Sequence, residues 1–214
     1  MNYRLIIFDF DGTLCDTRHI IVTTMQATMR HMGLEVASDE LCASTIGLPL
    51  HECFKHIYKS AMSDELARQC SQTYCNIFDV NKHRLTPTLF PGVSDTLKAL
   101  CERGVTLAVA SSRSQASLVE LLTMMGVSDV FAMVLGCDSV LHPKPHPEAV
   151  LTIMKTMDTD PCHTLVVGDM PVDIEMGNRA GAHTCAVTWG NSSPTRLQEA
   201  SPTRIIDRID QLIY

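Results

Sequence analysis

Apolar and polar positions follow two alternating patterns along most of this chain. Four consecutive bulky apolar residues, Leu5–Phe8, are typical of a short strand buried on both faces of a parallel sheet. Four later apolar runs predict further strands, at residues 105–110, 130–135, 164–167 and 184–189. Elsewhere, apolar positions that recur every three or four residues predict helices. These helices are expected at residues 16–32, 93–103, 116–125, 148–157, 174–180 and 205–213.

Strands that alternate with helices predict an α/β fold, a Rossmann-like doubly wound parallel sheet covered on both faces. The region between the first two strands departs from this pattern because it contains hardly any strand-like run. Ser38 and Ser63, each followed by two acidic residues, are typical helix starts within it. We therefore predict a core domain of residues 1–15 and 86–214 that carries an inserted α-helical domain of residues 16–85.

Composition narrows the class of protein. The chain has 214 residues, of which 45% are hydrophobic and 19% charged, as in ordinary soluble globular proteins. Its net charge of -7 argues against non-specific binding to nucleic acids or membrane surfaces. The N-terminus lacks the long apolar stretch of a signal peptide or membrane span. Nine scattered cysteines without a Cys-x-x-Cys pair predict reduced thiols in a cytoplasmic protein, and composition does not distinguish a monomer from an oligomer.

Polar side chains are found where the predicted strands end. Asp9 and Asp11 follow the first strand, Ser111 the second and Asp169 the fourth, while Lys144 lies on the loop after the third. In doubly wound sheets, ligands bind beyond the carboxyl ends of the strands. We therefore expect these five side chains to meet at one edge of the sheet.

The acids among them have the spacing of a metal site. Asp9 and Asp11 are alternate residues, so their backbones would lie roughly 7 Å apart on one side of the strand. Two such carboxylates raise each other's proton affinity unless a cation lies between them, and Mg²⁺ accepts hard oxygen ligands of this kind. Asp169 is predicted as a further direct ligand. Asp173, one helical turn later, binds the ion through water, orients Lys144 or caps the following helix.

Phosphoryl transfer is the chemistry that best fits these residues. A phosphate dianion approaches a carboxylate only when its charge is compensated, which Mg²⁺ and Lys144 would do. Asp9 would attack the phosphorus and form an aspartyl-phosphate. Asp11 would protonate the leaving oxygen and later deprotonate the hydrolytic water. Lys144 would also bind the substrate phosphate, on a backbone that is stiffened by Pro143 and Pro145.

Small and polar residues beside the acids are candidates for holding the phosphate. Ser111 directly ends its apolar run and is our choice for the phosphate-binding hydroxyl. If the register of the strand is shifted by one residue, Ser112 provides this hydroxyl instead. Otherwise Ser112 is expected to cap the following helix. Backbone amides at Gly12 and Thr13 and the guanidinium of Arg113 complete the predicted substrate-binding set, although a solvated surface position is the favoured interpretation of Arg113.

These residues form four motifs that resemble those of the haloacid dehalogenase superfamily. The motifs are residues 9–14 (Asp-Phe-Asp-Gly-Thr-Leu), Ser111, Lys144-Pro145, and residues 168–173 (Gly-Asp-Met-Pro-Val-Asp) followed by Ala180 and Gly181. The resemblance spans the chain in the superfamily's order. It implies a Rossmann-like core, Mg²⁺ dependence, a metal contact from the backbone carbonyl of Asp11, and an inserted helical domain that acts as a mobile cap. Residues 46–50 (Ile-Gly-Leu-Pro-Leu) resemble the cap of phosphoglycolate phosphatase-like members.

Three other functions of such a site fit the residues of this chain less well. Dehalogenases of the superfamily lack the second acid, which here is Asp11. Phosphomutases like β-phosphoglucomutase carry a histidine twelve residues after the nucleophile, where this chain has Ile21, and His19 is out of register. Phospho-accepting signalling domains place the acceptor on a later strand and have no insert of this size. Hydrolysis is therefore favoured over phosphomutase activity or signalling.

We predict a Mg²⁺-dependent phosphatase that hydrolyses a small phosphorylated metabolite through an aspartyl-phosphate intermediate. The sequence leaves the substrate open among phosphoglycolate, sugar phosphates, nucleotides and pyrophosphate. Candidates for setting specificity lie in the helical insert, where they fit solvated surface positions equally well: Arg18, His51, Lys55 and His56.

Overall fold

The computed structural model describes residues 3–213, and its centre is a parallel sheet of six strands. The spatial order is β5-β4-β1-β6-β7-β8, which is a doubly wound arrangement. Phe8 at the end of β1 lies level with Val109 of β4 on one side and Val167 of β6 on the other. The residues that follow these three strands therefore emerge at the same edge. The strands are β1 (Leu5–Phe8), β4 (Thr106–Ala110), β5 (Met133–Leu135), β6 (Thr164–Gly168), β7 (His183–Val187) and β8 (Arg204–Ile206).

Helices cover both faces of this sheet. Side chains of β1 alternate between two apolar clusters, with Ile6 and Phe8 on one face and Leu5 and Ile7 on the other. All four are at most 2% exposed, and burying each contributes about 1.5–3 kcal/mol. The first cluster includes residues of α5 and α6 and the second includes residues of α7 and α8. These helices are α5 (Val93–Glu102), α6 (Gln115–Met124), α7 (Glu148–Thr156), α8 (Pro171–Arg179) and, near the end of the chain, α9 (Pro194–Glu199).

A helical segment, α1 to α4, lies between the first two strands of the sheet in sequence. The side chains of Ser38 and Ser63 accept hydrogen bonds from the amides of Leu41 and Leu66, which confirms the two predicted helix starts. Helix α4 packs against α1 and α3. The four helices are α1 (Arg18–His31), α2 (Asp39–Ala43), α3 (Leu50–Tyr58) and α4 (Asp64–Asn81).

The chain leaves and re-enters the core through a short antiparallel ribbon that the sequence pattern did not predict. Strand β2 (Cys15–Asp16) pairs with β3 (Thr88–Leu89), so the entry and exit of the helical segment are hydrogen-bonded to each other. The predicted domain boundaries, after residue 15 and before residue 86, fall next to this ribbon and stay a prediction.

The predicted closing helix at residues 205–213 is wrong. Arg204–Ile206 instead form a sixth strand, because Ile205 pairs with Ala186 of β7 and extends the sheet. A single 3₁₀ turn, Ile209–Leu212, follows it. The apolar residues of the strand and of the turn fall at a helix-like spacing, which explains the error. The run at residues 130–135 is also shorter as a strand than predicted, and α9 was not predicted.

Two further observations concern the whole described chain. Among residues 3–213, no helix combines the length and apolar character that crossing a membrane requires. All nine cysteines are free thiols.

Candidate active site

The side chains of Asp9, Lys144 and Asp173 meet at the carboxyl edge of the sheet. The Lys144 ammonium donates hydrogen bonds to Asp9 Oδ1 at 2.6 Å and to Asp173 Oδ1 at 2.7 Å. All three residues are nearly inaccessible to solvent. Of the roles predicted for Asp173, the structure thus contains the contact that orients Lys144. The Asp173 carboxylate also accepts the amide of Met170 at 3.0 Å, at the start of α8.

Burial and charge act on this group in opposite directions. Burial alone would lower the pKa of Lys144, but Asp173 and Asp9 raise it above its ordinary value. Lys144 is therefore a buried ammonium ion. Burial raises the pKa of Asp9 well above its ordinary value, Asp173 and Asp169 add to this, and Lys144 opposes it.

Asp169 is fixed by three hydrogen bonds. Its Oδ1 accepts the hydroxyl of Thr13 at 3.1 Å, and its Oδ2 accepts the amide and the side chain of Asn191 at 2.7 and 3.0 Å. Burial, followed by the charge of Asp173, raises the pKa of Asp169 to about 7, although these donors oppose the shift. The Thr13 hydroxyl thus orients this acid, and the substrate-binding role of the Thr13 backbone amide stays a prediction.

Three of the acids predicted as metal ligands lie together in a suitable arrangement. Asp9, Asp169 and Asp173 each place one carboxylate oxygen within 4.8 Å of the others, and all three are buried. Only Lys144 compensates their charge among the hydrogen-bonding partners described for them. Hard oxygen donors with uncompensated charge are the environment that Mg²⁺ prefers. The residues present therefore fit the ion that was predicted.

The side chain of Asp11 lies apart from this cluster and pairs with Arg113. Arg113 Nη2 donates to Asp11 Oδ1 at 2.7 Å and Nε donates to Oδ2 at 3.2 Å, a two-pronged contact. The guanidinium also donates to Ser117 and lies 4.7 Å from the ring centre of Phe78 in α4. In this conformation Arg113 is thus a buried partner of Asp11 rather than a solvated residue, and its predicted contact with the phosphate stays a prediction.

The two serines of the second motif have different environments. Ser111 is 6% exposed, and its hydroxyl accepts the amide of Arg113 at 3.2 Å. Ser112 donates its hydroxyl to the carbonyl of Gly47 in the helical segment at 2.6 Å. Ser112 does not cap a helix, because α6 begins at Gln115 after Ser114.

A cavity of about 980 Å³ separates the sheet edge from the helical segment. Its walls combine Asp9, Asp11 and Ser111 with apolar and polar side chains of α1, α3 and α4. Ile21 lies in this wall, at the position where phosphomutases carry a histidine. His51 also lines the cavity. Of the other candidates for specificity, Lys55 is held by Glu52 and Asp64, and Arg18 and His56 are exposed at the surface.

The family of haloacid dehalogenase-like hydrolases matches residues 6–187 of this chain. The chain belongs to the haloacid dehalogenase-like hydrolases. It is 37% identical over 210 residues to a protein described as probable phosphatase IndB from Dickeya dadantii, and the match covers 98% of this chain and 91% of the relative. It is 33% identical over 213 residues to pyrophosphatase PpaX from Oceanobacillus iheyensis, and that match covers 100% of this chain and 96% of the relative. A crystal structure described as a haloacid dehalogenase-like hydrolase from Bacteroides fragilis superposes with a TM-score of 0.93 at 28% identity. The superposition covers 99% of this chain and 100% of that protein.

These matches confirm the family resemblance and the fold class predicted from the four motifs. In this haloacid dehalogenase-like hydrolase the motif residues converge at the sheet edge. Lys144 is hydrogen-bonded to Asp9 and Asp173, Asp169 lies beside them, and Ser111 is at the same edge.

The motifs did not reveal Gly190 and Asn191, which enclose Asp169 together with Gly12 and Thr13 of the first motif. Gly12 has a φ of +88°, and a Cβ there would lie 2.3 Å from Asp169 Oδ2. A Cβ on Gly190 would lie at the same 2.3 Å from that oxygen. Gly190 and Asn191 directly follow the strand predicted at residues 184–189, so their place at the carboxyl end of a predicted strand was the available signal. This hydrolase therefore holds Asp169 in a close-fitting backbone cradle.

Proposed function

We propose that this hydrolase is a Mg²⁺-dependent phosphatase that cleaves a small phosphate monoester through an aspartyl-phosphate on Asp9. The observation that carries the proposal is the buried ammonium of Lys144, which contacts both Asp9 and Asp173 beside Asp169. A carboxylate held next to a fixed positive charge can approach a phosphate dianion.

The first half-reaction transfers the phosphoryl group to the protein. A carboxylate oxygen of Asp9 forms a bond to phosphorus, the ester P–O bond breaks, and the leaving oxygen takes a proton from Asp11. Lys144 balances the negative charge on the phosphoryl oxygens, and Ser111 donates its hydroxyl to one of them. A Mg²⁺ ion held by Asp9, Asp169 and Asp173 would supply further charge compensation when bound.

The second half-reaction releases inorganic phosphate. Asp11 removes a proton from water, the water oxygen bonds to phosphorus, and Asp9 leaves as a carboxylate. Both oxygens of Asp11 accept hydrogen bonds from Arg113 in the described conformation. Proton transfer to or from Asp11 therefore requires that Arg113 release at least one of them.

The relatives support a phosphatase and leave its substrate open. One is described as a probable phosphatase and another as a pyrophosphatase. The cavity of about 980 Å³ has room for a small phosphorylated metabolite. We further propose that residues 16–85 act as a cap that shields this cavity from water, since Ser112 and Arg113 already contact Gly47 and Phe78 of the helical segment.

Replacing the nucleophile tests the proposal. We expect Asp9→Asn to abolish Mg²⁺-dependent hydrolysis of p-nitrophenyl phosphate, pyrophosphate and phosphoglycolate, because an amide cannot accept the phosphoryl group. Borohydride trapping of the wild-type protein during turnover should label Asp9, as identified by mass spectrometry. Asp95→Asn, at an exposed position in α5, is the matched control and should keep full activity. Hydrolysis that persists in Asp9→Asn would refute the mechanism.

A further inference from the structure

A second group of metal-binding side chains lies outside the candidate active site. His142, His146 and Glu148 each offer one donor atom within 4.8 Å of the others. The Nδ1 atoms of His142 and His146 lie 2.7 and 3.9 Å from Glu148 Oε2. Donors around a tetrahedral zinc ion are about 3.3 Å apart, a value between these two distances. Small rotations of the two rings would therefore complete such a site.

The carboxylate of this group is already held in place by the backbone. Glu148 Oε1 accepts the amide of Leu141 at 2.8 Å, and Oε2 accepts the amide of His142 at 3.0 Å. Ligating carboxylates in metalloproteins are commonly fixed by such outer hydrogen bonds. The amide of Glu148 in turn donates to His146 Nδ1 at 3.3 Å, so this nitrogen carries a lone pair, and an ion bound there would replace the hydrogen bond.

The loop that carries the two histidines is stiff. Prolines 143, 145 and 147 alternate with Lys144 and His146, and each proline ring fixes its own φ. Little backbone freedom would therefore be lost when an ion binds. Lys144 points inward to Asp9 and Asp173, whereas the side chains of His142 and His146 are 62% and 49% exposed. The two faces of one loop thus carry two separate sets of groups.

The rings of His142 and His146 lie side by side in an exposed position, with their centroids 4.5 Å apart. His142 Nδ1 shares a hydrogen bond of 2.7 Å with Glu148 Oε2, and an ion bound between these two atoms would take the place of that proton. Two imidazoles and one carboxylate are the donor set that suits Zn²⁺ and similar transition ions rather than Mg²⁺. We propose that His142, His146 and Glu148 form a binding site for a divalent transition-metal ion of the Zn²⁺ class, on the outer face of the Lys144 loop.

Calorimetric titration of the full chain with Zn²⁺, in buffer with millimolar Mg²⁺ to occupy the buried acids, tests this site. We expect one Zn²⁺ per chain at this site, with the dissociation constant raised by at least about tenfold in His142→Ala and in His146→Ala. Both side chains are exposed, so the variants should keep the thermal melting temperature of the wild type. His163→Ala is the matched control because His163 lies next to Cys162, a second pair of possible donors, and it should leave this binding step unchanged.

Binding of Co²⁺ reports which side chains hold the ion, whereas the titration reports only how many ions bind. Co²⁺ bound by two imidazoles and a carboxylate should give visible absorption bands that disappear in the double variant His142→Ala/His146→Ala. Asp9→Asn should keep both the Zn²⁺ step and the bands, so this site is tested independently of the phosphatase proposal. Zn²⁺ binding of equal affinity in the double variant, or no binding to the wild type at sub-millimolar Zn²⁺, would overturn the assignment.

Discussion

Two lysines of this hydrolase each contact two carboxylates, one at the sheet edge and one in the helical segment. Lys144 lies between Asp9 and Asp173 with 4% of its side chain exposed. Lys55 contacts Glu52 and Asp64 at 3.2 and 2.9 Å with 35% exposed. Water screens the second group and leaves the first unscreened. The same three charges are therefore a candidate catalytic centre in one region and an ordinary surface cluster in the other.

A third lysine joins the two regions. Lys82, at the end of α4, donates to Asp79 at 2.9 Å and to Glu120 of α6 at 2.7 Å. Lys82 thus connects the helical segment to the core, as do the contacts of Ser112 and Arg113 with the helical segment. The core carries the buried acids, and the helical segment forms the opposite wall of the cavity. The groups that we propose to react lie on the first region, and the side chains that would meet the rest of the substrate lie on the second.

Removing Lys144 should have the largest effect. We expect Lys144→Ala to lower kcat by at least about a thousandfold, because a fixed charge at the phosphoryl group is lost. It should also destabilise the fold by about 3–5 kcal/mol, since two buried carboxylates lose their partner. Steady-state kinetics and urea unfolding measure the two effects. Lys98→Ala, at an exposed position in α5, is the control, and comparable losses in the two variants would contradict the role of the buried ammonium.

Asp169 should make the stability of the metal-free protein depend on pH. Its folded pKa of about 7 lies above its ordinary value of 3.8, so the folded state binds the extra proton between these values. The free energy of unfolding should then fall as pH rises from 4 to 7, by on the order of 4 kcal/mol from this group.

Asp169→Asn tests this dependence. In the presence of a chelator, the variant should flatten the pH profile of unfolding and melt at a higher temperature than wild type at pH 8, while losing activity. Glu65→Gln changes an exposed carboxyl of α4, so its pH profile over the same range should match that of the wild type. Parallel profiles for Asp169→Asn and wild type would show that this carboxyl is not a source of the pH dependence.

Arg113 should affect turnover more than substrate binding. Burial would lower the pKa of Arg113, but Asp11 raises it above its ordinary value, so the guanidinium stays charged where it orients Asp11. We expect Arg113→Ala to lower kcat about 10- to 100-fold with little change in KM, because Asp11 loses its orientation. Arg68 lines the cavity from α4, so Arg68→Ala should change KM for a charged substrate instead. A reversed pattern would mean that Arg113 binds the substrate directly.

Features that depend on the backbone topology could be predicted from the sequence, whereas features that depend on side-chain rotamers or on strand pairing could not. The meeting of Asp9, Lys144 and Asp169 could be predicted because the residues that follow parallel strands emerge at one edge of the sheet, whatever the details of packing. The pairing of Asp11 with Arg113 could not, because it depends on the rotamers of two side chains that are 102 positions apart. The closing strand was missed because pairing with β7 overrode a helix-like spacing of apolar residues.

The smallest effect is expected at Lys55, where the comparison is most direct. Lys55→Ala removes a lysine from between two carboxylates, as Lys144→Ala does, but Glu52 and Asp64 stay hydrated when it is lost. Surface ion pairs contribute little to stability, so the melting temperature should change by no more than about 1 °C. Phosphatase activity should stay within about twofold of wild type, as measured on the same substrates as for Lys144→Ala. A large loss of kcat would place Lys55 in the reaction, and a loss confined to KM would identify it as a substrate contact of the helical segment.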